Sequence, residues 1–221
     1  TTVLGADDVS ALASYIEAIR TIQEQNIPHG DIELAISVAE EPYDAGSAYY
    51  DFSCIKSRIG YTFDLAGEVG LAAIEAPSII SFKIVVKGKS AHAGFNPEDG
   101  IHALKIASSA INRIPNGHVN DKTTVNFGTI QGGDGRNIVP REVIITGEIR
   151  SFDHLNALDW SRYIKEIFEE EAEKECACVK YSDYVHIEAY KIEEDEEVVK
   201  RFKRACNQLE LTPRLISTHG G

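Results

Sequence analysis

Acidic residues that could bind metal ions occur at three points of this 221-residue chain, each directly after an apolar run. They are Asp7 with Asp8, Glu40 with Glu41, and Asp64. If neighbouring strands end at these points, their carboxylates converge on one site. Clustered carboxylates repel one another and are costly to desolvate, so such a site normally holds zinc, manganese or magnesium. The pattern therefore indicates metal chemistry.

Each acidic cluster also has a simpler interpretation when it is taken alone. Asp7 and Asp8 before a helix can serve only as an N-cap. Glu40 and Glu41 can be a solvated strand end, and Asp64 can be a turn aspartate. Only the joint placement of the three clusters favours a metal site.

Composition narrows the class of protein. The chain has 43% hydrophobic and 26% charged residues, as globular proteins do, and its formal charge of -13 opposes binding to nucleic acid or to an anionic membrane. No apolar run reaches the ~18 residues that a membrane span needs. The four cysteines lack C-x-x-C spacing, which predicts buried reduced thiols and a cytoplasmic location.

The first third of the chain alternates between helix and strand patterns, which predicts an α/β sheet. Ligands of such sheets gather beyond the carboxyl ends of the strands, where the acidic clusters lie. The predicted elements are a helix at 9–25, a strand at 32–38, a short helix at 45–57, and strands at 59–64 and 69–76.

After Pro77 the pattern changes to β-α-β-β-α-β, the order of a ferredoxin-like domain. A charged amphipathic helix at 193–209 follows it. We therefore divide the chain into a first domain with the predicted metal-binding residues (1–76), an inserted domain (77–189) and a segment that returns to the first domain (190–221). The elements predicted for the inserted domain are strands at 79–87, 123–131, 142–152 and 176–187 and helices at 97–114 and 155–174.

Several motifs together resemble one known family. Beside the acidic clusters, residues 87–94 read KGKSAHAG, residues 132–140 read GGDGRNIVP, and Arg150 follows. The combination is similar to the co-catalytic zinc metallopeptidases that include peptidase T, carboxypeptidase G and related aminoacylases. The resemblance implies an α/β fold: part of a zinc-exopeptidase-like catalytic domain with an inserted ferredoxin-like lid and dimerisation domain.

The resemblance also implies a role for each acidic residue. Asp7 would bridge two divalent metal ions, expected to be zinc, with Asp64 as a ligand of the first ion and Glu41 as a ligand of the second. Glu40 would be the general base that takes a proton from water. Because neighbouring residues of a regular strand point to opposite faces, we predict that the strand breaks at Glu40 and Glu41.

In the inserted domain the resemblance implies three substrate contacts. His92 would reach the developing oxyanion, Asn137 would supply an amide, and Arg150 would bind a substrate carboxylate. In this family the lid forms a homodimer contact, and its histidine can serve the partner's site. Without the resemblance, these residues would be read as a glycine-flanked turn, a hairpin loop and a solvated strand residue.

The implied activity is that of a peptidase T-like exopeptidase, a tripeptide aminopeptidase acting on short peptides. A carboxypeptidase or N-acyl amino acid deacylase of the same family is the alternative, as is a non-catalytic dimerising relative. The family's remaining histidine ligands are expected before Thr1 and after Gly221. We therefore expect this chain to be a piece of a longer protein, with an incomplete metal site and no activity by itself.

Overall fold

The computed structural model describes residues 6–39 and 46–220, apart from the side chains of Ala6, Asp7 and Ala48. The chain divides into two compact units, which are Thr1–Ala73 with Ile192–Ile216 and Ile74–Lys191 with Ser217–Gly221. In chain order the elements are α1 (Ala6–Glu24), β1 (Leu71–Ala76), β2 (Ser78–Lys87), α2 (Ala103–Arg113), β3 (Gly117–Asn120), β4 (Thr123–Gly132), β5 (Glu142–Ser151), α3 (His154–Lys174), β6 (Cys178–Ile187), β7 (Tyr190–Lys191), α4 (Glu197–Gln208) and β8 (Arg214–Ser217).

The second unit has the predicted ferredoxin-like topology. Its five-stranded sheet has the order β3-β4-β5-β2-β6, and every neighbouring pair is antiparallel. Without the short edge strand β3, this is the strand order that the β-α-β-β-α-β sequence pattern predicts. The fold class expected for this part of the chain is therefore confirmed.

Alternation along the strands explains why one face of this sheet is buried. In β2, Ile80, Phe82, Ile84 and Val86 are at most 2% exposed, whereas Lys83 between them is exposed. Successive strand residues point to opposite faces, so the apolar series faces α2 and α3 and the other series lies on the open face. Phe168 of α3, fully buried, belongs to the same core.

Side-chain caps fix where the two helices of this unit begin. His102 Nδ1 accepts the backbone N–H of Lys105 at 3.2 Å, and Asp153 accepts that of Asn156 at 3.1 Å. The helix predicted for 97–114 is shorter in the structure, because Ile101 exchanges two backbone hydrogen bonds with Lys89. A 3-10 turn at Pro97–Asp99 precedes that bridge.

The first unit corrects part of the prediction. Among its described residues, neither 32–38 nor 59–64 forms a strand, and the helix predicted at 45–57 is replaced by 3-10 turns at Ser47–Tyr49 and Phe52–Cys54. Alternation alone does not make a strand, which needs a neighbouring backbone for its hydrogen bonds. The alternating side chains remain exposed: Ile32, Leu34, Ile36 and Val38 are 43 to 74% accessible.

A carboxylate organises this irregular segment instead. Glu33 accepts the backbone N–H groups of Lys56 and Ser57 and the hydroxyl of Ser57. These hydrogen bonds, above all the one from the Ser57 hydroxyl, lower the pKa of Glu33. The interaction connects residues 23 positions apart without a sheet.

Three short strands were not predicted, namely β3, β7 and β8. A second sheet has the order β7-β1-β8, and Glu75 of β1 lies opposite Lys191 of β7. The helix predicted at 193–209 is confirmed as α4, which begins four residues later. Among the described residues, no helix has the length and apolar character required to cross a membrane.

The cysteine prediction was correct for the free thiols and wrong for burial. All four cysteines are free, but only Cys206 is buried, while Cys54, Cys176 and Cys178 are exposed. Cys54 lies in a 3-10 turn, and Cys176 follows the end of α3 with φ 54°. Cys178 begins β6, an edge strand of the sheet.

Because Phe168 is fully buried in the core beneath the sheet, its replacement by alanine leaves a cavity. We expect Phe168→Ala to lower the free energy of unfolding by about 3 to 5 kcal/mol. Urea denaturation measures this change. Phe95→Ala is the matched control, because Phe95 is 85% exposed, and it should change the value by less than about 0.5 kcal/mol. Equal effects of the two substitutions would contradict the assigned core.

Candidate functional site

The described residues cover the predicted metal-binding residues only in part. Glu40 and Glu41 lie outside the described residues, as does the side chain of Asp7. The backbone of Asp7 belongs to α1. Asp64 is described and exposed, and the residues before it have no regular secondary structure.

A tyrosine of α1 positions the segment that leads to Asp64. The Tyr15 hydroxyl accepts the backbone N–H of Phe63 at 2.9 Å and donates to the carbonyl of Tyr61 at 3.4 Å. The rings of Tyr15 and Phe63 also pack at 4.8 Å between centroids. The helix whose backbone includes Asp7 therefore fixes the three residues before Asp64.

The backbone has unusual features on both sides of the segment 40–45, which includes the predicted general base Glu40. Ala39, directly before Glu40, has φ 58°, a left-handed conformation that costs a non-glycine residue about 1 kcal/mol. After the segment 40–45, Gly46 lies so close to Val38 that a Cβ there would overlap its carbonyl oxygen. Val38 and Gly46 are therefore in contact, and only a glycine fits at position 46.

The metal site itself stays a prediction. Within the described residues, no three histidine, cysteine, aspartate or glutamate side chains are grouped as ligands of one ion would be. Of the predicted ligands, only the Asp64 side chain lies within the described residues. Carboxylate oxygens suit zinc and harder divalent ions, so the predicted donor set fits such ions chemically.

The His92 side chain is oriented by its own loop. Its Nδ1 accepts the backbone N–H groups of Gly94 at 3.1 Å and Phe95 at 3.2 Å. The Phe95 ring packs against the imidazole with 4.4 Å between centroids. Because Nδ1 is an acceptor, the neutral ring carries its hydrogen on Nε2, which leaves an exposed N–H donor.

The structure brings Asn137 next to His92. The Asn137 carbonyl accepts the backbone N–H of Ala93 at 2.9 Å, and Ile138 pairs with His92 in a β-bridge. Residues 135–138 form a turn closed by a 3.2 Å hydrogen bond from Ile138 N–H to the Gly135 carbonyl. The two predicted motifs are therefore one structural element at the end of the sheet where β4 leads into β5.

Arg150 lies at the other end of β5. Its guanidinium donates from Nε to Glu148 Oε1 at 2.8 Å and from Nη2 to Glu148 Oε2 at 3.2 Å, and its Nη1 donates to the carbonyl of His219. Both the Arg150 and Glu148 side chains are about one quarter exposed, at 27% and 26%. The guanidinium is thus held in place and still accessible.

The three predicted substrate contacts therefore fall into two groups. The His92 loop joins the sheet at Glu142. Arg150 lies eight residues further along β5, a distance of roughly 26 Å in an extended strand. An extended tripeptide spans about 10 Å. A short peptide bound to Arg150 is thus far from the end of the sheet that carries His92 and Asn137.

Sequence analysis missed Glu148 and the contact made by His219. Glu148 lies two residues before Arg150 on a predicted strand, so alternation alone places both side chains on one face. The His219 carbonyl could not be found in this way, because its approach to Arg150 joins residues 69 positions apart. The ring of His219 also contacts that of Phe152 at 5.1 Å between centroids.

Comparison with known proteins supports the family suggested by these motifs. Residues 74–176 match the family described as "Peptidase dimerisation domain". Over its whole length the chain is 38% identical to a solved aminopeptidase PepT from Bacillus cereus, with a TM-score of 0.91, and it covers 59% of that chain. A tripeptidase structure from Staphylococcus aureus gives 34% identity and a TM-score of 0.95, again over 100% of this chain and 59% of the other.

Over its whole length the chain therefore resembles the peptidase T-like members of the M20 peptidase family. These matches confirm the mixed α/β fold class, a part of the catalytic fold with an inserted dimerisation domain. The "Uncharacterized protein YqjE" of Bacillus subtilis is 37% identical over 221 residues, which are 60% of its length. The chain thus spans less than two thirds of the relatives that it matches.

The contacts of His92 predict its tautomer. Long-range proton–nitrogen correlation NMR should show the hydrogen on Nε2 in the neutral ring, because Nδ1 accepts two backbone N–H groups. His118 is exposed and serves as the comparison, in which we expect a mixture of tautomers. A protonated Nδ1 in neutral His92 would contradict the described loop.

Proposed function

We propose that the protein containing this chain is a metal-dependent exopeptidase that hydrolyses short peptides, as a peptidase T-like tripeptide aminopeptidase. The observation that carries the proposal is the held and accessible guanidinium of Arg150, far from an equally held N–H donor on His92. A carboxylate binder and an oxyanion donor are what peptide hydrolysis at a chain end needs. The similarity to a PepT and to a tripeptidase supports this choice.

The acidic residues would supply the hydrolytic chemistry. We assign Asp7, Glu41 and Asp64 as ligands of two divalent ions, expected to be zinc, and Glu40 as general base. When bound, two such ions supply Lewis acidity and lower the pKa of water. Glu40 would accept the water's proton and return it to the leaving amine.

The lid residues would bind and orient the substrate. The Nε2–H of His92 would donate to the oxyanion that develops on the scissile carbonyl, and Asn137 would contribute its amide beside it. Arg150 would bind the carboxylate of the peptide. Free cysteine thiols agree with a reducing, cytoplasmic location for the enzyme.

The separation along β5 favours an active site shared by two subunits. Because one tripeptide is too short to span the distance between the two ends of the sheet, Arg150 and His92 of one subunit would serve different substrates. We therefore propose a homodimer in which His92 and Asn137 complete the site of the partner. The match to a dimerisation domain supports this arrangement.

The C-terminal half of β4 offers an edge with which the second subunit of the proposed dimer could pair. Among the described residues, β3 pairs with β4 only from Thr123 to Val125, so residues 128–132 have a free outer edge. This stretch reads GTIQG and lacks the charges and prolines that normally protect a free edge. The outer strand at the opposite edge, β6, carries exposed Lys180 and Asp183. The contrast favours β4 as the pairing edge.

A complementation experiment with the full-length protein tests the shared site. Glu40→Gln should lower turnover of a tripeptide by about 10²- to 10⁴-fold, and His92→Ala by about 10²- to 10³-fold. Mixed and re-equilibrated, the two variants should regain about a quarter of the wild-type rate, because half of the dimers are mixed and each has one intact site.

The controls separate the competing proposals. Each variant mixed with itself should stay inactive, and no recovery in the mixture would reject the shared site.

Wild-type protein is also assayed on tripeptides, N-acyl amino acids and C-terminal amino acid conjugates. Turnover of only the acyl compounds would replace the aminopeptidase with a deacylase. A dimer with no turnover, whose biological activity survives Glu40→Gln, would support a non-catalytic relative.

The proposed pairing edge predicts the effect of a charge placed on it. Ile130 is 48% exposed on β4, and Ile130→Lys should raise the dimer dissociation constant by about 10-fold or more, since the two lysines would repel each other near the symmetry axis. Sedimentation analysis measures this constant. Tyr184→Lys, on the other outer strand and 60% exposed, should leave it unchanged. Equal behaviour of the two variants would exclude the β4 edge.

A further inference from the structure

The guanidinium of Arg150 has a defined set of unused donors. Arginine carries five N–H groups. In Arg150, three of them donate hydrogen bonds: two to the carboxylate oxygens of Glu148 and one to the carbonyl of His219. Glu148 binds the edge formed by Nε and Nη2, which is the side-on geometry of a bidentate pair. Within the described part of the chain, one N–H on Nη1 and one on Nη2 have no partner, and these are the two nitrogens that can bind a carboxylate end-on.

The position of Glu148 is fixed by the sheet. It follows the same alternation as Arg150, so both side chains lie on the open face of β5, away from the helices. Glu148 lies directly opposite Ser81 of β2 and Asn126 of β4, in the middle of three paired strands. A carboxylate at the centre of a sheet has little freedom to move, so it can fix the plane of the guanidinium.

Neighbours of Arg150 restrict the guanidinium further. Its own cross-strand partners are Ile79, 2% exposed, and Thr124. On the far side, the His219 carbonyl belongs to a segment that is itself attached, because Thr218 N–H donates to the Glu75 carbonyl at 2.9 Å. Arg150 is therefore held from two directions, with one carboxylate accounting for two of its three bonds.

The pairing with Glu148 also affects how Arg150 can bind an anion. A guanidinium whose plane is fixed by a bidentate pair presents its remaining N–H groups in one direction, so it can add directed hydrogen bonds to its charge attraction. Two parallel N–H donors match the two oxygens of a carboxylate. A carboxamide presents one oxygen and one N–H₂ group, which would face an N–H donor, so it fits poorly.

We propose that Glu148 is a positioning residue that turns Arg150 into a subsite selective for the terminal carboxylate of a peptide over the corresponding amide. This inference rests on the proposed function for the role of Arg150 as the substrate contact. Glu148 does not touch the substrate. It orients the two remaining N–H groups by fixing the plane of the guanidinium.

The test compares one tripeptide with its C-terminal amide on the full-length protein. In the wild type, KM should be lower for the free acid. In Glu148→Gln, KM for the acid should rise about 10- to 100-fold with kcat changed less than about threefold. The preference for acid over amide should fall, because Arg150 loses its fixed orientation and keeps only its charge attraction. Glu148→Asp keeps the charge, and it should restore part of the preference.

A matched control is available on the same strand. Glu142 lies on the same face of β5 and also pairs with a cation, Lys87 at 3.4 Å, but at the other end. Glu142→Gln should leave the acid-to-amide preference at the wild-type value. A loss of preference in both variants would indicate a general effect of charge on this face and would overturn the assignment.

Binding measurements separate this inference from the proposed function. Calorimetry on the Glu40→Gln background compares affinity for the acid and the amide without turnover. If Glu40→Gln with intact Glu148 prefers the acid and the double variant prefers it less, the inference stands. A wild type that fails to hydrolyse peptides would then reject the proposed function alone. If the preference is equal with and without Glu148, the inference is wrong whatever the activity.

Discussion

The register of the five-stranded sheet is the constraint on which the candidate site depends. A shift of one residue would move every side chain of a strand to the opposite face. In β5 the fully buried side chains of Val143, Ile145 and Ile149 fix the register against α2 and α3. The same register places Glu148 and Arg150 together on the open face. The apolar core thus decides where the polar residues lie, although it makes no contact with a substrate.

Strand length adds a second constraint, which is distance. The loop of His92 and Asn137 continues the pairing of β2 and β5 beyond Lys87 and Glu142, whereas Arg150 lies near the last residue of β5. Ten residues of paired strand therefore keep the proposed oxyanion donor and the proposed carboxylate binder apart. Within one subunit, no single tripeptide could reach both. In the proposed dimer, the same strand would fix the distance between the two shared sites.

The N–H groups of His92 and Arg150, at the two ends of the five-stranded sheet, are oriented by contacts within the protein. Backbone N–H groups hold the His92 ring with Nε2–H outward, and Glu148 with the His219 carbonyl holds Arg150. Groups that are oriented before the substrate arrives need no reorganisation during the reaction, which is what makes such hydrogen bonds effective in catalysis. The first unit uses the same principle, since Tyr15 fixes the segment before Asp64.

The sequence by itself was sufficient for most of the second unit. The alternation of β2, β4, β5 and β6 and the periodicity of α3 reflect one buried face, and that face is formed within the same unit, so local pattern and tertiary structure agree. The motifs that resemble the peptidase family led to His92, Asn137 and Arg150 as substrate contacts, and these roles stay predictions. The same reasoning failed for 32–38, whose alternating residues remain exposed, because a strand pattern cannot show whether a partner backbone is present.

Only the tertiary structure decided which groups meet across long separations in the chain. The contact of Arg150 with the His219 carbonyl, the binding of residues 56 and 57 by Glu33, and the pairing of the two lid motifs all join distant residues. Sequence periodicity reports which face a side chain occupies, since that depends on neighbouring residues. It does not report which atoms approach that face from elsewhere, because this is set by the packing of the whole unit.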